Sequence, residues 1–201
     1  MKKTMIYPGS FDPFHLHHFI GLVYFGNKYR MERGIIIPSY SHPEKNNKAD
    51  FEKRVEIIDT WLKDTPLGFP VDVSLSEKET GSTGKSIIDI CRNKNTTNYL
   101  LLGLDTLFEK FRYFDDNKKI MEMVNLIVND YDHEIVVHES KNGETYIQKL
   151  TESMILPTEN VILDSNPFSG LHSSDIRQYP EAHLNGFPKN VRRLIEKYYM
   201  E

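Results

Sequence analysis

"GSFDPFHLHHF" (Gly9–Phe19) begins where the short apolar run "TMIY" (Thr4–Tyr7) ends. From His15 onward the apolar residues take helical spacing through "HLHHFIGLVYFGNKY". Pro8-Gly9 marks the end of a strand, so the segment reads as a strand turning into a helix. A helix starting near His15 points its free N–H groups and the positive end of its dipole over the first strand, which makes an anion site. Gly9 and Ser10 let the backbone turn closely, Asp12 can cap or brace the turn, and Pro13 fixes it. His15 and His18 lie three apart and share one face, whereas His17 points away from both. Imidazoles placed there can follow charge building on phosphate oxygens. Capping or surface histidines are the plainer alternative. A zinc site lacks a cysteine or carboxylate at ligand spacing nearby.

Working outward, "RGIIIPSY" carries three consecutive isoleucines, Ile35 to Ile37, the pattern of a strand buried on both faces of a parallel sheet. "KADFEKRVEIIDTWL" has helical apolar spacing with Asp50 as N-cap. The strand "FPVDVSL", a helix through "KSIIDICRN" and the strand "NYLLLG" follow. Helical turns from Thr106 to Met123 lead into the strands "VNLIVND", "HEIVVHE" and "ENVILD", and "NVRRLIEKYYM" closes the chain as an amphipathic helix. Asn142-Gly143 is a strong turn pair. Strands alternating with helices predict an α/β, Rossmann-like, doubly wound and mainly parallel sheet with helices on both faces. Ligands in that architecture sit beyond the carboxyl ends of the strands, at the topological switch point.

The chain has 201 residues, enough for one domain spanning 1–201. Hydrophobic residues at 39% and charged residues at 27% exclude a disordered chain. A net charge of −4 gives no general attraction to nucleic acid. The single Cys91 excludes an internal disulfide and reads as a small buried residue. No run spans a bilayer and no signal peptide is present, so no membrane association and a cytoplasmic location are expected. A homo-oligomer is compatible with the sequence but not required by it. "TGSTGKS" ends like a phosphate-binding loop, but residue 79 is Glu79 where that motif needs glycine. It reads instead as a helix entry.

"GSFDPFHLHH" resembles the "GxFDPxHxGH" signature of a nucleotidyltransferase superfamily, with Gly9, Phe11, Asp12, Pro13, His15 and His18 in place and His17 where that family has glycine. "LHSSDIR" (Leu171–Arg177) resembles the second signature, "ISSTxIR", with Ser173, Ser174 and Arg177 on signature positions and His172 replacing a serine. The order of further landmarks is most similar to nicotinate or nicotinamide mononucleotide adenylyltransferases. "IPSYSHPEK" places Lys45, "FEKRVEII" places Arg54, and "GLDTLFEKFRYF" places Asp105 and the aromatic Tyr113, with Phe114 as the other stacking candidate. No "RPG" follows that element.

The resemblance implies transfer of the adenylyl group of ATP to a pyridine mononucleotide, with Mg²⁺ entering alongside ATP. It implies catalytic parts for His15, His18, Lys45 and Arg177. ATP binding would fall to Gly9, Ser10, Phe11, His15, His18, Asp105, Ser173, Ser174 and Arg177. Mononucleotide binding would fall to Lys45, Arg54, Thr83, Ser86 and Tyr113, and the helical part from about residue 165 would carry the second phosphate motif. Two alternatives stay open: a sister transferase using another acceptor such as phosphopantetheine, and a nucleotide-binding homologue without the reaction, for which His17 is the best support.

Overall fold

In the computed structural model the first apolar run becomes β1 (Lys2–Gly9), the axis of a six-stranded, all-parallel sheet. Residues 1–40, 48–93, 95–104, 106–129, 135–139, 145–149, 155–157, 160–166 and 171–200 are described. The chain continues through α1 (Leu16–Lys28), β2 (Arg33–Pro38), α2 (Phe51–Asp64), β3 (Val71–Val73), α3 (Ser76–Thr80), α4 (Thr83–Cys91) and β4 (Thr96–Gly103). A π-type turn (Thr106–Lys110) and a 3-10 turn (Phe111–Tyr113) precede α5 (Asn117–Met123) and β5 (Val124–Asn129). After β6 (Ile135–Glu139), β7 (Thr145–Lys149), β8 (Ile155–Pro157) and β9 (Val161–Asp164) come α6 (Ser173–Gln178), α7 (Pro180–His183) and α8 (Lys189–Ile195). A final π-type turn covers Glu196–Met200.

Strand order in the main sheet is β3-β2-β1-β4-β5-β9. The chain winds outward from β1 to β3, then returns to start the other half at β4. The switch point therefore lies between β1 and β4, and their carboxyl ends open a crevice there. Successive residues of each inner strand face opposite layers. Met5, Ile36, Leu101 and Ile127 pack with Leu22, Phe25, Ile57, Trp61, Val191 and Tyr199. Ile6, Ile35, Ile37, Leu100, Leu102 and Val128 pack with Ile87, Ile88 and Ile120. Thus α1, α2 and α8 cover one face while α4 and α5 cover the other. This double burial is what the unbroken isoleucine and leucine runs require.

Local chemistry starts the helices as expected in two places. Asp50 accepts the Lys53 N–H at 3.0 Å to cap α2, and Ser82 accepts the Lys85 N–H at 3.3 Å to cap α4. One expectation is refined and one is corrected. The helical turns expected from Thr106 to Met123 are present but interrupted: Phe114 is extended and Asp116 is left-handed, at φ 58°. At the break the backbone packs closely on α4: a β-carbon on Gly84 would lie 2.3 Å from the Asp115 carbonyl oxygen. The glycine of "TGKS" therefore serves close approach of α4 to this loop. Second, "HEIVVHE" does not extend the main sheet. It supplies β6 of a separate antiparallel sheet, β6-β7-β8, with Glu139 opposite Thr145. The Asn142-Gly143 turn pair lies outside the described residues.

Candidate active site

Gly9 ends β1 opposite Pro38, and its carbonyl accepts the Ser39 N–H at 2.9 Å. The chain then turns through Phe11, a non-glycine residue in the left-handed region at φ 49°. Its buried ring meets Tyr7, Phe14 and His18 at centroid distances of 5.3, 5.5 and 5.0 Å. Asp12, also buried, braces the turn from below. Its carboxylate accepts the Lys48 N–H at 2.9 Å, the Ala49 N–H at 3.1 Å and the Tyr199 hydroxyl at 2.6 Å. Two distant segments, at residues 48–49 and at Tyr199, are thereby tied to the first signature. With that carboxylate so engaged, it supports the turn rather than facing a ligand.

His15 is the N-cap of α1, in extended conformation, and only 2% exposed. Its ring lies 3.8 Å from that of His18, centroid to centroid, and 6.0 Å from that of His17. The His15 N–H donates to His18 Nδ1 at 3.3 Å, so a neutral His18 carries its proton on Nε2. Burial, then the nearby His18, His17, His172 and His183, hold the His15 pKa well below its ordinary value of 6.5. Among the described residues His15 Nδ1 has no hydrogen-bond partner. A buried, unsatisfied nitrogen beside a helix N-terminus suits an incoming anionic ligand with a protonatable or donor group.

The second signature is docked on the first. Ser173 Oγ donates to the Pro13 carbonyl at 3.1 Å, and Arg177 Nη1 donates to the Asp12 carbonyl at 2.6 Å. The guanidinium also lies 3.9 Å from the Asp12 carboxylate. Ser174 stands exposed on the first turn of α6. Contrary to expectation, His17 does not turn clear of His15, whose ring it meets edge-on at 6.0 Å; it also reaches this second segment, where its Nδ1 accepts the Leu171 N–H at 2.9 Å.

The residues expected on the mononucleotide side distribute differently. Arg54 is 1% exposed, and its guanidinium donates to the carbonyls of Ala49 at 3.2 Å, Ser39 at 2.7 Å and Ser10. It is a strut beneath the turn rather than a side chain presented to a ligand, because a buried guanidinium must spend its donors on nearby carbonyls. Ser86 is fully buried, its hydroxyl 2.8 Å from that of Thr80. Thr83 donates to buried Glu77 at 2.6 Å. Glu77 also accepts the Tyr40 N–H at 3.1 Å, and burial raises its pKa against the pull of Thr83, Tyr40 and Arg54. Tyr113 is 71% exposed, whereas Phe114 packs partly buried on Phe111. Lys45 and Asp105 lie outside the described residues.

The cytidylyltransferase-like family model matches residues 6–179. The chain belongs to this family. Among its cytidylyltransferase-like relatives is a Thermotoga maritima protein named "probable nicotinate-nucleotide adenylyltransferase", 31% identical over 208 residues and covering 98% of this chain and 93% of the relative. A Fusobacterium nucleatum protein of the same name is 26% identical over 206 residues, covering 99% of this chain and 100% of its own length. In fold the chain is similar to the Plasmodium falciparum nicotinic acid mononucleotide adenylyltransferase complexed with APC, at TM-score 0.67 and 17% identity, covering 98% and 96% of the two chains. The same Plasmodium enzyme has been solved with NaAD.

Within this cytidylyltransferase-like frame, Lys48, Ala49 and Tyr199 are the residues that sequence reasoning missed. Nothing local marks them, since two act through backbone N–H groups and the third is one of two adjacent tyrosines in the amphipathic closing segment. Among the described residues no three of His, Cys, Asp and Glu gather as a metal site. The donors at the two signatures are imidazoles, a guanidinium and hydroxyls, which suit phosphate oxygens. A cavity of about 310 Å³, lined by residues including Thr4, Arg33, Asp72, Thr96 and Asn98, lies at the amino ends of the strands, opposite the signatures. Among the described residues no helix is long and apolar enough to cross a membrane.

Proposed function

We propose that this protein transfers the adenylyl group of MgATP to the phosphate of nicotinate mononucleotide, forming a dinucleotide and pyrophosphate in NAD biosynthesis. The observation that carries the reading is the docking of the two signatures: Ser173 on Pro13 and Arg177 on Asp12 bring the second signature beside the His15–His18 pair. Relatives that span nearly the whole chain bear the name of that activity.

In this reading a phosphate oxygen of the mononucleotide attacks the α-phosphorus of ATP in line. The new P–O bond forms as the bond to the β-phosphate oxygen breaks, and pyrophosphate leaves with that electron pair. No covalent enzyme intermediate is needed, so catalysis is positioning and charge stabilisation. His18 Nε2–H and His15 donate to the phosphate oxygens. Ser174 and the donors of Arg177 not spent on Asp12 hold the triphosphate from the other side. Lys45 adds positive charge near the reacting phosphates, Asp105 receives nucleotide hydroxyls, and Tyr113 stacks on a base. Gly9, Ser10 and Phe11 shape the turn on which ATP rests. The whole chain works as one nucleotidyltransferase domain, in the cytoplasm where ATP and its acceptor are available.

The test is pyrophosphate release from MgATP with nicotinate mononucleotide, nicotinamide mononucleotide and phosphopantetheine supplied separately. Release with nicotinate mononucleotide at a kcat/KM at least about tenfold above the other two is expected. Release with phosphopantetheine alone, or with none of the three, overturns the proposal.

A further inference from the structure

His17 stands where the resembled signature has glycine, and the proposed reaction gives it no part. Its surroundings do. Two hydrogen bonds between the signatures come from signature residues, Ser173 and Arg177. The third comes from His17, whose Nδ1 accepts the N–H of Leu171, two residues before α6. That nitrogen accepts only while the imidazole is neutral with its proton on Nε2. A glycine at position 17 offers no side-chain acceptor.

We infer that His17 is a positioning residue: through the Leu171 N–H it fixes the second signature against the first, so that Ser174 and Arg177 are set for the triphosphate before ATP arrives. The inference rests on the proposed adenylyl transfer for its kinetic part and on the contact itself for the rest. Three tethers from α1 and its preceding turn to the 171–177 segment define its position: one at the lead-in, one at the first turn of α6, one at its end. Removing the first frees the lead-in while leaving the other two. Ordering that segment then falls to ATP binding, and the cost appears in ATP affinity. Burial and the neighbouring His172 lower the His17 pKa, which keeps Nδ1 available as an acceptor near neutral pH.

The test compares His17→Ala, His17→Gly and His17→Asn with the wild type. Asparagine carries a side-chain carbonyl that can replace Nδ1 as acceptor, and alanine separates loss of the imidazole from the backbone freedom of glycine. At pH 7.5, hydrogen exchange of the Leu171 amide is expected to quicken about 2- to 10-fold in the Ala and Gly variants, the size of one lost hydrogen bond, and to return toward wild type with Asn. KM for ATP should rise by a similar factor in the first two and recover in the third, while KM for nicotinate mononucleotide stays within about twofold. Unchanged Leu171 exchange in His17→Ala overturns the inference. So does quickened exchange with an unaltered KM for ATP, or failure of Asn to restore either quantity while its melting temperature matches wild type. Should the wild type release no pyrophosphate with any acceptor, the proposed reaction fails by itself. Leu171 exchange and calorimetric ATP affinity across the same variants then decide the role of His17 separately.

Discussion

Arg54 separates two accounts of one residue, and its replacement by methionine tells them apart. As a mononucleotide ligand, Arg54 would cost substrate affinity and little stability. As the strut seen here, it holds the carbonyls of Ser10, Ser39 and Ala49 and answers the charges of Asp12 and Glu77. Met keeps most of the apolar stem but removes every donor, leaving three carbonyls and buried Glu77 without their cation. Charged hydrogen bonds contribute about 1.5–3 kcal/mol each, and unmaking one partner of a buried charged set costs about 3–5 kcal/mol in total. Against a folding stability of about 5–15 kcal/mol, that loss is large. Urea unfolding of Arg54→Met should therefore show a midpoint far below wild type, and Arg54→Lys, with its single charged centre, should fall between. Both variants should keep KM for nicotinate mononucleotide within a few fold under folded conditions. A stability loss below about 0.5 kcal/mol together with a mononucleotide KM raised tenfold would refute the strut account.

His18→Ala is expected to lower kcat about 10²–10³-fold, the size of one lost transition-state donor, with ATP affinity by calorimetry within a few fold of wild type. Near-normal turnover would remove His18 from the reaction. Gly84→Ala gains helix propensity but drives a methyl group to 2.3 Å from the Asp115 carbonyl oxygen, so a net loss of about 1–3 kcal/mol is expected in thermal unfolding. An unchanged or raised melting temperature would show that the loop yields freely. His15 is held below its unfolded pKa of about 6.5 by burial, so the unfolded state binds more protons as pH falls below that value. Stability should decline from about pH 6.5 downward, and urea midpoints of His15→Gln between pH 7.5 and 5 should slope less than those of wild type.

The parallel sheet was legible because burial on both faces writes itself as unbroken apolar runs, Ile35 to Ile37 and Leu100 to Leu102 among them. The crevice followed from Pro8-Gly9 ending a strand and helical spacing starting at His15. What stayed hidden depended on contacts across the fold. The break before α5 coincides with Asp115 lying against Gly84, a pairing over thirty residues that no local pattern marks. Arg54 matched a signature by position, yet position says nothing about whether a guanidinium points up at a ligand or down at carbonyls. The β6–β8 sheet uses the same apolar residue types as the main sheet, and only its antiparallel pairing sets it apart.

In the proposed reaction a chain of net charge −4 has to hold a polyanion, and the electrostatics of the candidate site bear on how. Among the described residues at and beneath the two signatures, the fixed positive charges are Arg177, buried Arg54, and Lys48, whose ammonium is bonded to the Tyr199 carbonyl. The rest is donor capacity: the α1 N-terminus, hydroxyls of the second signature, and the imidazoles of His18 and His17, 3.8 and 6.0 Å from that of His15. Crowding and burial keep His15 neutral until an anion arrives, because each imidazole disfavours charge on its neighbour. In the proposed reaction a phosphate group would offset that mutual repulsion. That matches a reaction in which negative charge moves from one phosphate to the next and no group on the protein has to change its bonds.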